Sequence, residues 1–155
     1  TGENTFSPDM PMTRSMLITV LHRLEGKPAT ANAADFADIP AGQWYTDAVN
    51  WSLEKEIVKG VTETEFMPES NITREQLAVI LYRYASSKNM AADDLGSIGS
   101  FRDNDKVSAW AETAVRWAAG KGIITGREDN TLDPSGSATR AEVAAMLKRY
   151  IEKVK

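Results

Sequence analysis

A chain of 155 residues, 42% of them hydrophobic, is long enough to bury one sizeable core and is expected to form one domain. Its formal net charge of −4 argues against a basic groove that tracks nucleic acid. No apolar run reaches the roughly 18 residues of a membrane span, no basic-then-apolar leader opens the chain, and the absence of cysteine excludes disulfides and thiolate metal sites without fixing the compartment. In chain order, Phe6, Pro8 and Thr13-Arg14 lead into an amphipathic helix with apolar Leu17, Val20, Leu21 and Leu24, the i, i+3, i+4, i+7 stripe. The segment 26–35, with four alanines, Gly26 and Pro28, reads as a linker. Phe36-Ala37-Asp38 then opens a unit whose first helix carries Trp44, Ala48, Val49 and Trp51 on one face. A loop through Gly60, Phe66 and Pro68 follows, and a second helix begins after Thr73 with Leu77, Ile80, Leu81 and Tyr84. Residues 86–100 form a second linker, including Gly96-Ser97-Ile98-Gly99-Ser100. Phe101-Arg102-Asp103, then Trp110, Ala114, Val115 and Trp117, then Gly126, Leu132 and Pro134, and finally Thr139 with Val143, Met146, Leu147 and Tyr150 repeat the whole order.

The repetition is in register. Trp44 to Tyr84 matches Trp110 to Tyr150 at a constant offset of 66, and the N-terminal half unit matches at an offset of 60. The chain therefore reads as the second half of one repeat (1–25), a complete repeat (36–85) and another (101–151). The fold class is all-α, a helical repeat module. Thr13, Thr73 and Thr139 are N-caps, and Gln76 and Glu142 complete capping boxes that Met16 cannot. Lys121-Gly122-Ile123 predicts a glycine C-cap, with a looser one where Glu56 holds the matching place. A bundle that begins at a half unit leaves open the apolar face its missing first helix would cover. That helix is expected either upstream in a parent chain or replaced by self-association with another chain.

The arginine after each capping threonine, Arg14, Arg74 and Arg140, stands at the positive end of a helix dipole, where a cation is unfavourable by some tenths of a kcal/mol. Two explanations stay open together. Each guanidinium pairs with a carboxylate such as Asp38, Asp103 or Glu142, or free helix-start amides and a forked guanidinium form a site for a carboxylate or phosphate. Trp51 and Trp117 read as core, whereas Trp44 and Trp110, at the helix starts, are placed to line a groove mouth.

The order Phe-x-Asp, Trp, Ala-Val, Gly-Ile, Gly, Phe-x-Pro and Thr-Arg-Glu-Gln or Thr-Arg-Ala-Glu resembles the S-layer homology domain across nearly the whole chain. The resemblance implies a pseudo-threefold bundle of repeats with grooves between them. Those grooves would bind secondary cell-wall polysaccharide, often through pyruvylated N-acetylmannosamine, and so anchor an exported bacterial protein at the cell surface. It puts ligand recognition on Arg14, Arg74 and Arg140. The expected binding set adds Trp44, Trp110, Asp38, Asp103, Thr73, Thr139, Glu142, Gly60 and Gly126. The departures at Ser15-Met16 and Glu56 make one or two competent grooves the expectation, rather than three.

The alternative function is a protein-interaction module using the same grooves and the open helix face. An enzyme is not expected. No pair among the 22 acidic residues stands out as acid and base, and His22 has no nucleophile motif beside it. Phosphate-loop, dinucleotide and zinc-protease motifs are missing, so no cofactor is expected. Asp103, Asp105 and Glu128-Asp129-Asn130 supply oxygen ligands without the alternate spacing of a calcium loop.

Overall fold

The computed structural model describes residues 7–91 and 94–154, so Phe6 of the half unit lies outside the described residues. Five α-helices carry the fold: α1 (Arg14–Leu24), α2 (Thr46–Glu54), α3 (Arg74–Ser86), α4 (Glu112–Gly120) and α5 (Arg140–Lys153), with a short 3-10 turn at Asn104–Lys106. Extended pairing among the described residues is confined to isolated bridges. The all-α class expected from periodicity is the class observed.

The chain divides into two compact units, Thr13–Asn71 and Thr1–Met12 with Ile72–Lys155. In the first, α1 packs against α2. Leu17, Ile18 and Leu21 of α1 and Val49 and Trp51 of α2 are all buried, and the His22 ring lies 5.3 Å from that of Trp51. In the second, α3 packs against α4. Trp117 is wholly buried there, with ring centroids 5.4 Å from Tyr82 and 6.5 Å from Tyr150. A buried aromatic of this size contributes on the order of 3 kcal/mol or more through apolar area, so Trp51 and Trp117 are core residues, as their flanking sequence predicts. In both units the second helix of one repeat pairs with the first helix of the next. Glu75, on α3, holds the entry of α4, accepting from the Ser108 amide at 3.0 Å and hydroxyl at 2.9 Å.

The residues just before the capping threonines form a feature that periodicity does not reveal. Met12 donates its amide to the Ala138 carbonyl, Ala138 to Ile72 and Ile72 to Met12, each at 2.9 Å. Three apolar, buried residues at equivalent repeat positions thus satisfy one another's backbone groups in a closed ring, which meets the requirement that buried amides be paired.

On α5 the positions corresponding to buried Ala78 and Ala85 of α3 are exposed Ala144 and Ile151. The segment 94–99, read from composition as plain linker, is instead pinned to α4. Gly96 donates to the Arg116 carbonyl at 3.0 Å, and the Arg116 side chain returns a bond of 3.1 Å to Gly96. Composition carries no trace of these backbone contacts.

The helix ends correct a second expectation. After α4, Gly122 adopts φ +64, with Gly122 donating to Ala119 at 2.9 Å and Ile123 to Ala118 at 2.8 Å, the two bonds of a Schellman cap. Glu56 closes the same motif at φ +56, donating to Leu53 at 3.0 Å while Ile57 donates to Ser52 at 2.8 Å. The cap is therefore no looser, because buried Ile57 and the backbone bonds hold a left-handed conformation that costs a non-glycine residue about 1 kcal/mol. Glu56 is exposed, so its side chain is dispensable there. Glu56→Gly is expected to raise stability by about 0.5 to 1 kcal/mol, after the entropy that glycine adds to the unfolded chain. Urea titration measures it, and an unchanged or lower midpoint would contradict the strain.

Candidate functional site

The three helix starts are built alike. Thr13, Thr73 and Thr139 each accept from the amide three residues on, at 3.3, 3.3 and 3.2 Å. Gln76 and Glu142 return bonds to the cap amides at 3.1 and 2.9 Å, and Met16 makes no such return. The next two amides of each helix are occupied as well. Arg14 and Ser15 donate to Ser70 and Pro68, Arg74 and Glu75 to Gly136 and Pro134, and Arg140 and Ala141 to Met10 and Pro8, all at 2.9 to 3.0 Å. An anion site made of unoccupied helix-start amides is thus not present at these positions. The loop ending in each Pro-containing turn supplies carbonyls to donors that a helix cannot satisfy internally.

Arg14 and Arg74 are also committed to their surroundings. Arg14 is 7% exposed, bonding through Nε to the Phe66 carbonyl and through Nη2 to that of Lys59, both at 3.1 Å, with its guanidinium 4.7 Å from the Phe66 ring centroid. Arg74, 6% exposed, bonds through Nε to the Leu132 carbonyl at 2.6 Å and through Nη1 to Glu142 at 2.9 Å. Burial lowers the Arg74 pKa from the ordinary arginine value, and the Glu142 carboxylate opposes the shift. Arg140 is half-buried at the start of α5.

Asp38 and Asp103 accept hydrogen bonds from loop amides. Asp38 accepts from the Phe66 amide at 2.9 Å and the Met67 amide at 2.6 Å. Asp103 accepts from Leu132 at 2.7 Å and Asp133 at 2.8 Å. Met67 and Asp133 sit at φ +58 and +48, a local conformation that turns successive amides toward one anion. Each aspartate thereby fixes the loop whose carbonyl receives the arginine Nε. Gly60 and Gly126 lie beneath the rings of Phe36 and Phe101, where a Cβ would approach ring carbons to 2.6 Å. The Phe-x-Asp signature is thus one clamp, with its ring on a glycine and its carboxylate on the loop amides.

Within the larger unit these elements leave a cleft of about 320 Å³, lined by Arg74, Ile124, Gly126, Arg127, Glu142 and Arg149 among others. That volume falls at the small end for ligand sites. Arg74 reaches it from α3, Glu142 and Arg149 from α5, and Arg127 from the loop after Gly126. Arg127 bonds Asp133 at 3.0 Å and Glu142 at 3.3 Å, and Arg149 donates to the Ile123 carbonyl at 3.2 Å. Three guanidiniums face two lining carboxylates, Glu128 and Glu142, with Asp133 beside Arg127 as a third. Of the expected site residues, Arg74, Gly126 and Glu142 come together here. Thr73, Thr139, Asp103 and Trp110 are not part of its lining, and Arg14, Trp44, Asp38 and Gly60 belong to the other unit.

Trp44 and Trp110 immediately precede the first helices and are 56% and 60% exposed, so each offers an aromatic face to solvent. Arg127 and Arg149 were not anticipated. A signal did exist for Arg149, since Arg23, Arg83 and Arg149 recur nine residues after Arg14, Arg74 and Arg140. Arg127 has no such signal, because Val61 stands at its matching position. Among the described residues no group of three or more His, Cys, Asp or Glu is placed to hold a metal ion, and no helix is long and apolar enough to cross a membrane. Asp129, one of the loop carboxylates, is engaged by the Thr131 hydroxyl at 2.6 Å, which lowers its pKa.

Comparison with known proteins adds a lineage. The family model described as the S-layer homology domain matches residues 35–78 and 100–144. An amylopullulanase of Thermoanaerobacterium thermosulfurigenes is 30% identical over 152 residues, covering 97% of this chain and 8% of that protein. Exoglucanase XynX of Acetivibrio thermocellus is 31% identical over 152 residues, covering 97% and 14%. A cellulosome-anchoring protein of the same species is 27% identical over 154 residues, covering 96% and 34%. The chain thus spans about a third or less of the length of these relatives.

Proposed function

The chain belongs to the S-layer homology domain family, and from that premise we propose that it holds its parent protein to the cell wall by gripping an anionic wall polysaccharide, most simply one bearing pyruvate ketals. A cell-surface anchoring module is what the family and its anchoring relatives support, and an enzymatic role is not assigned to this segment. The observation that carries the finer reading is the cleft lined by Arg74, Arg127 and Arg149, because guanidinium forks match carboxylates in charge and shape. Exposed Trp44 and Trp110 supply flat apolar faces for sugar rings. Several weak contacts along one polymer then act together through effective concentration.

In this reading Asp38, Asp103, Gly60, Gly126, Thr73 and Thr139 shape the loops and helix starts. Arg74 and Glu142 form the floor of the cleft, and Arg14 and Arg140 occupy the corresponding places in the other repeats. The ring of bonds among Met12, Ile72 and Ala138 supports a pseudo-threefold bundle of repeats. Because Val61 and Gln76 stand where Arg127 and Glu142 do, the grooves are inequivalent and one or two bind well. A stoichiometry near three per chain would refute this.

Co-sedimentation with purified wall sacculi tests the function. The chain is expected to pellet with intact sacculi and to remain in solution with sacculi stripped of secondary polysaccharide. Arg149→Ala is expected to weaken pelleting by about 3- to 10-fold, the effect of removing one partly exposed charge contact. Equal pelleting with stripped sacculi would point instead to a protein or peptidoglycan partner.

A further inference from the structure

Arg127 differs from every other arginine at the cleft. The second repeat has Val61 at its matching position, its side chain is 38% exposed, and both its ion pairs are to carboxylates of its own repeat, Asp133 and Glu142. Its backbone is held by a tight turn, donating to Thr131 at 2.8 Å and accepting from Asn130 at 2.9 Å, so the side chain is delivered to the cleft from a fixed base. Arg74, by contrast, is buried and bonded to Leu132 and Glu142, and Arg149 leans on the Ile123 carbonyl.

We infer that Arg127 is the specificity-determining residue of this cleft, a clamp that exchanges its resident carboxylate Asp133 for the carboxylate of an acidic sugar bound between Arg127 and Arg149. The inference rests on the proposed wall-polysaccharide function and names the group that selects the ligand. An ion pair as exposed as Arg127–Asp133, with side chains 38% and 42% exposed, contributes little to stability, so giving it up costs little. A ligand carboxylate held between Arg127 and Arg149 and shielded from water by a sugar ring gains more from the same fork. Glu142 stays behind, fixed by Arg74 and by its bond to the Thr139 amide at 2.9 Å. It disfavours any anion that enters too deeply, which sets the depth at which the ligand carboxylate rests. Selectivity for acidic over neutral sugars therefore resides in the third repeat, since the second carries Val61 at this place.

The test compares the wild-type chain with Arg127→Val, the residue the second repeat already uses, and with Arg127→Lys. Each is titrated with purified wall polysaccharide before and after chemical reduction of its carboxyl groups to alcohols, and thermal melting of each variant checks that the fold is retained. The expected result is about 10-fold weaker binding of native polysaccharide by Arg127→Val, with partial recovery in Arg127→Lys, and no difference among the three on reduced polysaccharide. Undiminished binding by Arg127→Val, in a setting where wild type loses affinity on carboxyl reduction, would overturn the role of Arg127 and leave the anchoring function standing. An equal loss on native and reduced polymer would overturn carboxylate exchange. If wild type binds neither polymer, the anchoring reading itself fails and the inference with it.

Discussion

Arg74→Ala is expected to lower the free energy of unfolding by about 3 kcal/mol, breaking a buried charged contact by deletion of one partner. The side chain is 6% exposed and spans two elements, with Nε on the Leu132 carbonyl and Nη1 on Glu142. Its removal leaves a buried carbonyl without that donor and a partly buried carboxylate without its closest cation. Glu142 is 24% exposed and keeps Arg127 at 3.3 Å, which holds the loss at the lower end of the range for buried pairs. For a chain of this length the change corresponds to a drop in Tm of about 6 to 12 °C, read by calorimetry or circular dichroism. Arg74→Lys is expected to recover less than half of the loss, because an ammonium cannot present two forked donors to partners on different elements. A melting temperature within about 2 °C of wild type for Arg74→Ala would show that the two bonds contribute almost nothing net. The consequence for function is practical. Loss of wall binding in Arg74→Ala mixes recognition with unfolding, so exposed Arg127 and half-buried Arg149 are the cleaner probes.

Asp103→Asn is expected to cost about 2 to 3 kcal/mol, although it changes the side chain by a single group. The aspartate is 8% exposed and uses both carboxylate oxygens as acceptors, from Leu132 at 2.7 Å and Asp133 at 2.8 Å. Asparagine offers one acceptor and turns an NH2 group toward the other amide, so one charge-assisted bond is lost and a donor faces a donor. The Leu132 carbonyl that the loop presents is the same one that receives Arg74 Nε, so the two sites share a partner. Arg74→Ala and Asp103→Asn together should therefore cost less than the sum of the two, by about 1 kcal/mol in a double-mutant cycle. Strict additivity in urea denaturation would dissociate the aspartate clamp from the arginine. Asp38→Asn, at a half-buried position with the same bonding pattern, should follow with a smaller loss.

The helices and their starts were legible because each is a local pattern. The stripe from Leu77 to Tyr84, the capping boxes at Thr73 and Thr139, and the Schellman turn at Gly122 depend on residues within a few positions of one another. The in-register repeat made three such patterns reinforce each other and exposed Arg14, Arg74 and Arg140 as positions in need of a cause. That cause was visible as two alternatives and no further, since a guanidinium's partners are chosen across distances in sequence of 52 and 58 residues. Asp38 and Asp103 show the limit most plainly. Composition offers them as partners for the arginines, and only the path of the chain reveals that backbone amides reach them first.

What the sequence by itself determined is the periodic part of the molecule: an all-α repeat, its caps, its core tryptophans and its family. The tertiary structure decided which polar groups are consumed in holding that repeat together and which remain at a surface. It took the helix-start amides out of the candidate site, closed Met12, Ile72 and Ala138 into a ring, and assembled Arg74, Arg127, Glu142 and Arg149 around one cleft. The physical reason is that helix formation and capping are satisfied within a few residues. A buried amide or guanidinium takes whatever acceptor the folded chain brings within about 3 Å, and that acceptor is set by the packing of elements far apart in sequence.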